Sequence, residues 1–491
     1  MRLRDLLDGL EYECLQGNVD AAVTEVSCDS RTVGRGALFI CIPGAKFDGH
    51  DFAGQAVERG AAALVVSGPV KEAAAEEAVQ ILVKDTRYAM AFISAAWYGH
   101  PARRLKTIGI TGTKGKTTTA YMVRSILENA GFRTGLVGTI EIIIGDRSVP
   151  AGNTTPESCV LQEIFSEMVQ AGTEIVVMEV SSQALMQHRT QGFLFDYGVF
   201  TNLEPDHIGP GEHASFEEYA ACKGLLFRQC AVGIVNGDDA CLEAVTAGHT
   251  CRLETFGMGE DCMLRGERPK PAAASGALGT GFHVSGEMDF DAWVPFPGRF
   301  SVYNALCAIA VCRHFQADIG AIRRGLEETR VKGRIERVPV SDRFTLLIDY
   351  AHNAMALESL LTTLREYHPR RLVCLFGCGG NRSRQRRYEM GEASGRLADL
   401  TIITSDNPRM EDPAAIMADI HRGISGTRGV YVEIQDRREA IAYAISRAQE
   451  GDIIVLAGKG HEDYQEIRGR KYPMDERVII QELLDGGLEH I

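Results

Sequence analysis

The segment from residue 106 to residue 130 constrains the fold more than any other part of this 491-residue chain. It begins with the strand-like run TIGIT, continues through a glycine-containing loop, and then reads as a helix from Lys116 to Ala130. Loop glycines let backbone N–H groups face phosphate oxygens, and the N-terminus of the following helix adds a favourable dipole. A strand, a glycine loop and a helix in this order therefore predict a nucleotide-binding α/β domain.

The loop contains the residue types that phosphate binding requires. Lys116 would neutralise charge on the β- and γ-phosphates of ATP, and Thr117 would ligate Mg²⁺. The general motif G-x-x-x-x-G-K-[ST] has a glycine where this chain has Ile110, and an accidental glycine turn before a helix is the alternative interpretation. Strand, lysine and helix in register favour phosphate binding. The predicted phosphate-binding residues are Gly112, Thr113, Lys114, Gly115, Lys116, Thr117 and Thr118.

Composition and charge exclude several classes of protein. Hydrophobic residues make up 45% and charged residues 24% of the chain, which is typical of a folded globular protein. The net charge of −14 argues against sequence-independent binding of nucleic acid, which needs a basic surface. The thirteen cysteines are scattered without zinc-site spacing, and we expect them to be reduced. No signal peptide or membrane-length apolar run is found, so we expect a cytoplasmic protein without membrane insertion.

The chain is too long for a single core, and its pattern indicates three domains. The helical pattern from Thr86 stops at Gly99 to Pro101, and a second boundary falls at Val331 to Arg334. We therefore predict domains at residues 1–101, 102–330 and 331–491. Apolar runs alternate with helical patterns in the central and C-terminal domains, which predicts an α/β fold with mostly parallel sheets. The Pro-, Ala- and Gly-rich stretch 266–281 is expected to be an exposed excursion.

Polar residues at strand ends are candidates for a site, because ligands of open α/β sheets bind at the carboxyl ends of strands. Glu179 lies near the end of the apolar run 174–180, where a purely structural carboxylate is uncommon. It is therefore a candidate Mg²⁺ ligand together with Thr117. The tetrapeptide DNPR, from Asp406 to Arg409, follows the run 400–404. An ordinary turn is its alternative interpretation, since Asn-Pro favours turns.

Read together, the motifs resemble the Mur ligase family, and within it the members that add the third peptide residue to UDP-N-acetylmuramoyl-L-Ala-D-Glu. The motifs that carry the resemblance are DSR at 29–31, GTKGKTT at 112–118, NTTPE at 153–157, MEVSS at 178–182, QHR at 187–189, Asp206-His207, GRF..YNA at 298–305, DYAH at 349–352 and DNPR at 406–409. The resemblance implies a UDP-binding N-terminal domain, a central P-loop ATPase domain and a C-terminal Rossmann-like domain. It also implies a monomeric ligase that converts a carboxylate into an acyl phosphate with ATP and lets an amine displace phosphate, in the synthesis of peptidoglycan precursors.

The resemblance also assigns roles to residues. It implies two Mg²⁺ ions, held by Thr117, Glu179, His207 and Lys223, with Lys223 carbamylated by CO₂ so that it becomes an anionic ligand. Lys116, Glu179, His207 and Lys223 are thus the expected catalytic residues. Further nucleotide contacts are expected from Asn304, Arg334 and Asp349. The expected UDP-muramyl-peptide contacts are Ser30, Asn153, Thr154, Thr155, Ser181, Gln187 and Arg189.

DNPR resembles the family version that selects meso-diaminopimelate rather than L-lysine. Arg409 would grip the second carboxylate of that amino acid bidentately, and Glu462 would receive its distal ammonium. The expected amino-acid contacts are Arg382, Asp406, Asn407, Pro408, Arg409, Gly458 and Glu462.

The chain departs from the family pattern at a few positions. Lys114 and Gln183 stand where Asn and His are usual, and the Asp206-His207 loop runs EPDHIGPGEH. A lysine-adding or paralogous Mur ligase therefore stays open as an alternative. A folylpolyglutamate-synthase-like ligase shares the ATPase motifs, but the DSR, NTTPE and DNPR segments speak against it. An ATP-driven switch is a further alternative, but such a protein would not need the residues Arg382, DNPR and Glu462 in its C-terminal domain.

Overall fold

The computed structural model describes residues 1–44, 47–70, 77–206, 208–209, 212–274 and 277–486. They form two compact units. The first contains Met1–Arg265 and Leu306–Gly325, and the second contains Gly266–Ala305 and the described residues from Leu326 onward. Within these described ranges, no helix has the length and apolarity needed to cross a lipid bilayer.

The N-terminal part of the first unit is a small sheet covered by short helices. Its strands are β1 (Tyr12–Gln16), β2 (Glu25–Ser27), β3 (Ala37–Ile40), β4 (Ala63–Val66) and β5 (Val79–Val83), and its helices are α1 (Leu3–Leu6), α2 (Ala53–Glu58) and α3 (Thr86–Trp97). The strand order is β1-β5-β4-β3-β2, with only β1 antiparallel to its neighbour. Helix α3 begins at Thr86 as predicted, because the Asp85 side chain accepts hydrogen bonds from the amides of Arg87 and Tyr88.

The rest of the first unit is built on a larger sheet that carries the phosphate loop. Its strands are β6 (Lys106–Thr111), β7 (Thr134–Val137), β8 (Glu141–Ile144), β9 (Arg147–Pro150), β10 (Ile175–Glu179), β11 (Phe195–Phe200), β12 (Cys230–Asn236), β13 (Arg252–Gly257) and the start of β14 (Leu264–Ala274). Its helices are α4 (Lys116–Asn129), α5 (Ser158–Gln170), α6 (Ser182–Met186), α7 (Phe216–Gly224), α8 (Leu242–Thr246), the end of α9 (Arg299–Cys312) and most of α10 (Ile319–Glu328).

The phosphate-loop strand lies in the middle of this sheet. The parallel order is β13-β12-β11-β6-β10-β7, and β8 and β9 extend it as antiparallel strands. Apolar residues of β6 and β10, such as Ile108 and Val177, are fully buried, as expected for parallel strands covered on both faces. Because β6 and β10 are parallel neighbours, the loop after Thr111 and the carboxylate of Glu179 meet at one edge of the sheet.

Residues 266–281, predicted to form an exposed excursion, contribute to two strands instead. The described residues of this segment belong to β14 and β15 (Ala277–Gly286), and β15 pairs with β16 (Phe290–Val294) in antiparallel register. Buried Phe282 and Val284 alternate with more exposed residues, and the Trp293 indole donates a hydrogen bond to the Ala272 carbonyl at 3.3 Å. The prolines and glycines suggested an excursion away from the sheet, but β14 and β15 are hydrogen-bonded neighbours within it. Most of β14 is exposed, as predicted.

The C-terminal part of the second unit is built on a predominantly parallel sheet with helices between the strands. Its strands are β17 (Glu336–Val338), β18 (Thr345–Asp349), β19 (Leu372–Phe376), β20 (Leu400–Ile403), β21 (Tyr431–Glu433) and β22 (Ile453–Ala457), followed by the hairpin β23 (Tyr464–Ile467) and β24 (Arg470–Pro473). Its helices are α11 (Ala354–Arg365), α12 (Arg384–Leu397), α13 (Pro413–Ser425), α14 (Arg437–Ser446) and α15 (Glu476–Asp485). The order is β17-β18-β22-β19-β20-β21, with only β17 antiparallel. The predicted α/β class with mostly parallel sheets is confirmed.

A buried ion pair supports the strand ends of this sheet. Arg437 Nε donates to Glu476 Oε1 at 2.9 Å, and its two terminal nitrogens each donate to a backbone carbonyl, of Ser405 and Ala457, at 3.1 Å. Arg437→Met should lower the apparent free energy of unfolding by about 3–5 kcal/mol, because it leaves a buried carboxylate without its partner. Urea denaturation measures this. The exposed neighbour Arg438, paired with Glu482, is the control, and Arg438→Met should cost about 0–1 kcal/mol. Equal costs for the two variants would contradict the prediction.

Candidate active site

The phosphate loop has a backbone that requires glycine at two positions. Gly112 has φ +148°, and a Cβ there would lie 1.9 Å from Thr201 Oγ1. Gly115 has φ +84° and caps the N-terminus of α4 in the left-handed conformation. Four residues thus turn the chain from the end of β6 into α4, with the helix N-terminus at the loop.

Two lysine side chains converge on this loop. Lys116 Nζ donates to the carbonyls of Gly112 at 2.7 Å and Thr113 at 3.0 Å, and Lys223 Nζ donates to the Gly112 carbonyl at 2.8 Å. Lys223 is 1% exposed and lies 4.5 Å from the centre of the Tyr219 ring. Burial, helped by the positive charge of Lys116, holds the pKa of Lys223 well below its usual range. Lys223 is therefore suited to react as a neutral amine.

Glu179 is the buried acceptor at the centre of the site. Thr117 Oγ1 donates to Glu179 Oε2 at 2.9 Å, so the structure brings these two predicted Mg²⁺ ligands together. Thr139, just after β7, donates to the same carboxylate with its backbone N–H at 2.8 Å and with its hydroxyl at 3.0 Å. Glu179 is 1% exposed. A carboxylate held in this way faces the loop with a fixed orientation.

Most of the predicted UDP-muramyl-peptide residues form one cluster beside Glu179. Thr155 Oγ1 donates to the Glu179 carbonyl at 2.9 Å and accepts from the Ser181 N–H at 3.1 Å. Arg189 donates to the Thr155 carbonyl at 2.9 Å and to Gln187 Oε1 at 2.8 Å. Thr154 Oγ1 lies 3.1 Å from Thr139 Oγ1. Asn153 is exposed in the preceding turn, and Ser30 lies in the N-terminal sheet region, where it donates to Gln55.

Glu157 joins this cluster to the N-terminal part of the chain. Its Oε1 lies 2.9 Å from Arg189 Nη2, and its Oε2 accepts from Arg87 on α3 at 3.3 Å. Burial lowers the pKa of Arg189, and the charge of Glu157 opposes that shift. A shared carboxylate between two guanidinium groups fixes the orientation of Arg189.

The loop that carries the predicted Asp206-His207 pair also contacts the phosphate loop. Lys114 Nζ lies 2.5 Å from Glu204 Oε2, and the Lys114 N–H donates to Asn202 at 2.9 Å. The predicted catalytic and metal residue His207 lies outside the described residues. His213, further along, is fully buried with Nε2 2.8 Å from Ser182 Oγ.

In the second unit, Arg334 and Asp349, the two residues predicted there as nucleotide contacts, lie close enough for their charges to interact. The Asp349 carboxylate accepts the N–H groups of Ile335 and Ala351, each at 2.8 Å. Burial raises the pKa of Asp349, and the Arg334 charge opposes this. The Arg334 guanidinium stacks 4.9 Å from the centre of the Tyr350 ring. The third predicted residue, Asn304, is buried on α9.

All the predicted amino-acid residues except Arg382 follow the carboxyl ends of β20 and β22. Asn407 Nδ2 donates to Glu462 Oε2 at 2.8 Å. At Gly458, a Cβ would lie 3.0 Å from Asp406 Oδ2. Arg409 has φ +51° and donates to the Gly380 carbonyl at 2.8 Å and to Glu466 at 3.3 Å. Arg382 is exposed near the N-terminus of α12, and Pro408 lies between Asn407 and Arg409 with its carbonyl against Gly380.

Comparison with known proteins identifies the family. Residues 110–312 match the Mur ligase middle domain, residues 333–460 the Mur ligase glutamate ligase domain, and residues 22–98 the Mur ligase family catalytic domain. A UDP-N-acetylmuramoyl-L-alanyl-D-glutamate--2,6-diaminopimelate ligase of Caldanaerobacter subterraneus is 42% identical over 486 residues, covering 99% of both chains. The chain belongs to the Mur ligase family. A ligase of the same name from Geobacillus kaustophilus is 42% identical over 95% of each chain.

The fold agrees with that of a solved Mur ligase. The structure of a UDP-N-acetylmuramoyl-L-alanyl-D-glutamate--2,6-diaminopimelate ligase superposes with a TM-score of 0.73 at 29% identity, covering 99% of both chains. The three stretches matched by Mur ligase domains lie between residues 22 and 460. Membership of the family is thus supported by sequence over nearly the full length and by the fold.

The Mur ligase family implies ATP and Mg²⁺ as cofactors, and the described residues fit both. A buried carboxylate and a threonine hydroxyl within 2.9 Å of each other are oxygen donors of the kind that Mg²⁺ prefers. Lys116 and the N-terminus of α4 supply positive charge for phosphate. Substrate oxygens and water complete the shell in most protein Mg²⁺ sites, so few protein ligands are needed.

Sequence reasoning missed four residues of this Mur ligase site. Thr139 lies two residues after the end of β7, and its position near a strand end was the signal that could have found it. His213 occurs in the same loop as His207, but nothing in the sequence distinguishes a buried histidine there. Glu157 stands in the NTTPE motif, whereas Arg87 lies 70 positions earlier and carries no local signal.

Proposed function

We propose that this Mur ligase uses ATP to join meso-diaminopimelate to the D-Glu side-chain carboxylate of UDP-N-acetylmuramoyl-L-Ala-D-Glu. The observation that carries the proposal is the likeness over nearly the full length to relatives named for this reaction, at 42% identity. The contact between Asn407 and Glu462, beside Arg409, supports the choice of diaminopimelate. Glu462 would supply an anionic group and Arg409 a cationic group for an amino acid that carries both an ammonium and a carboxylate at its distal end.

The carboxylate has to be activated before an amine attacks it. One of its oxygens attacks the γ-phosphorus of ATP, the bond to the β–γ bridging oxygen breaks, and ADP leaves an acyl phosphate. The neutral amino group then attacks the carbonyl carbon, and inorganic phosphate departs as the amide forms. Phosphoryl transfer between two anions depends on positioning and charge screening, which Lys116 and the N-terminus of α4 would supply.

We further propose the ligands of the metal sites. Thr117 and Glu179 would hold one Mg²⁺, and a carbamylated Lys223 with His207 would hold a second. When bound, the metal ions would screen the repulsion between ATP and the carboxylate. The buried contact between Thr117 and Glu179 supports the first site.

Carbamylation of Lys223 is a testable part of the proposal. The depressed pKa leaves a larger share of neutral amine at neutral pH than an ordinary lysine has, and a neutral amine adds to CO₂ with loss of a proton. Removing CO₂ and bicarbonate should lower kcat by about tenfold, and adding bicarbonate should restore it. A ¹³C carbamate signal should appear with labelled bicarbonate and disappear in Lys223→Met. An equal signal in wild type and variant would contradict the assignment.

Substrate contacts are proposed from the same arrangement. The hydroxyl and amide groups around Arg189 suit a ligand with sugar hydroxyls, carbonyls and a carboxylate, and Arg334 and Asp349 suit the nucleotide. We also propose that the chain has three domains, at residues 1–101, 102–330 and 331–491, and that the protein is a monomer. The proposed muramyl-peptide contacts are Ser30, Asn153, Thr154, Thr155, Ser181, Gln187 and Arg189.

Phosphate release tests the function. With ATP and UDP-N-acetylmuramoyl-L-Ala-D-Glu present, meso-diaminopimelate should stimulate release strongly and L-lysine weakly. Faster turnover with L-lysine would indicate a lysine-adding enzyme, and stimulation only with a folate substrate and glutamate a folylpolyglutamate-synthase-like one. Phosphate release that no amino acid stimulates would be expected of an ATP-driven switch and would overturn the proposal.

A further inference from the structure

Lys459 is a fully buried lysine beside the proposed amino-acid site. It lies two residues after the end of β22 and has no exposed surface. A buried ammonium is costly unless charged and polar partners surround it. None of the roles proposed above uses this residue, so its partners indicate what it does.

The three hydrogen-bond donors of the Lys459 ammonium have three acceptors. Nζ donates to Asn407 Oδ1 at 3.0 Å, to Glu462 Oε2 at 2.8 Å and to the Tyr464 carbonyl at 2.5 Å. Two of these acceptors belong to residues proposed to contact the amino acid. The ammonium is therefore a fixed anchor that joins DNPR to the segment after β22.

This anchor determines the orientation of the Asn407 amide. Lysine only donates hydrogen bonds, so the oxygen of the amide must face it. The same Oδ1 also accepts from the Glu466 N–H at 2.9 Å. With the oxygen side fixed by two donors, the Nδ2 group must face Glu462, and it donates to Glu462 Oε2 at 2.8 Å.

The anchor also determines how the Glu462 carboxylate is held. Among the described residues, the hydrogen bonds given to this carboxylate, from Lys459 and Asn407, both end on Oε2. The carboxylate is thus clamped by one oxygen, and its rotation is restricted. Oε1 is then the oxygen oriented to accept a hydrogen bond from a ligand ammonium.

We infer that Lys459 is a positioning residue for the amino-acid substrate: it orients Asn407 and Glu462 so that Glu462 Oε1 receives the distal ammonium of a diamino acid. The inference rests on the proposed function, and it names Lys459 as the residue that orients the side chains which bind the amino-acid substrate. The Lys459 ammonium is shared between two carboxylates, that of Glu462 at 2.8 Å and that of Asp406 at 3.8 Å. The same cation therefore holds both acidic residues of the proposed amino-acid site in place.

Lys459→Met tests the inference, because methionine keeps most of the side-chain volume and removes the charge and the donors. The KM for meso-diaminopimelate should rise by about 10- to 100-fold, as expected for lost hydrogen bonds to a charged group. The kcat, and the KM values for ATP and UDP-N-acetylmuramoyl-L-Ala-D-Glu, should change by less than about twofold, since these substrates are bound by other residues. Lys471, exposed on the Tyr464 ring at 3.9 Å, is the matched control. Lys471→Met should leave all three KM values unchanged.

A double-mutant cycle with Glu462→Gln separates positioning from general stabilisation. If Lys459 acts through Glu462, adding Lys459→Met to Glu462→Gln should raise the KM for diaminopimelate little further. Additive effects, an unchanged KM in Lys459→Met, or equal losses for all three substrates would overturn the inference. Wild-type enzyme that ligates no amino acid would instead overturn the proposed function, and with it this inference.

Discussion

Lys116→Met is expected to lower kcat for amide formation by about 10³-fold, because the variant loses the cation proposed to screen the β- and γ-phosphates of ATP. In the structure the Lys116 ammonium lies against the loop, 2.7 Å from the Gly112 carbonyl and 3.0 Å from the Thr113 carbonyl. It is thus held where phosphates would bind. Steady-state phosphate release at saturating substrates measures the effect.

The control for this variant is Lys106→Met, at the start of β6, the strand that precedes the phosphate loop. Lys106 is an exposed residue that pairs with Asp196 at 2.7 Å, away from the loop. Its replacement should leave kcat within about twofold, as for most surface substitutions. Lys116→Met that keeps more than about a tenth of the wild-type kcat would contradict the assignment.

Glu179→Gln should lower kcat by about 10²- to 10³-fold and raise the Mg²⁺ concentration needed for half-maximal activity. Glutamine has the shape of glutamate. Its amide oxygen can still accept from the Thr139 N–H, and its NH₂ group would donate to the two threonine hydroxyls, so the contacts are kept with reversed direction while the negative charge is removed. A loss of kcat in this variant would therefore come from the missing charge and not from changed packing. Titration of kcat with Mg²⁺ is the measurement.

Glu174→Gln is the matched control, since Glu174 precedes the same strand at the surface. It lies near Arg133 at 3.5 Å, and exposed ion pairs contribute little. We expect no change in Mg²⁺ dependence for this variant. If Glu179→Gln and Glu174→Gln had the same Mg²⁺ dependence, Glu179 would not be a metal ligand.

The parts of the molecule that the sequence predicted are those determined by local chemistry. The helix predicted to start at Lys116 does start there, because the strand, the left-handed Gly115 and the helix N-terminus are consecutive in the chain. Thr117 and Glu179 were predicted as ligands of one Mg²⁺ because polar residues at strand ends form the sites of open α/β sheets. Their contact spans 62 positions, so the sequence indicated the two residues, and the pairing of β6 with β10 brings them together.

What sequence reasoning missed depends on contacts between distant segments. Lys459 reads as an ordinary lysine between two glycines, and only the folded chain places Asn407 and Tyr464 around it. Arg87 and Glu157 meet although they are 70 positions apart. Strands β14 and β15 were not predicted because proline, present at 269 and 271, is uncommon in strands. Pairing with neighbouring strands overrides this local preference.

Transfer of oxygen from the carboxylate to phosphate tests the central claim most directly. The substrate would be UDP-N-acetylmuramoyl-L-Ala-D-Glu labelled with ¹⁸O in both oxygens of the D-Glu side-chain carboxylate. It would react with meso-diaminopimelate in the presence of ATP, and the ¹⁸O content of the products would be measured by mass spectrometry. An acyl phosphate requires that one labelled oxygen leave with each released phosphate and that the other remain in the amide. Unlabelled phosphate, with both labelled oxygens still in the carboxylate, would show that ATP is hydrolysed without activating it.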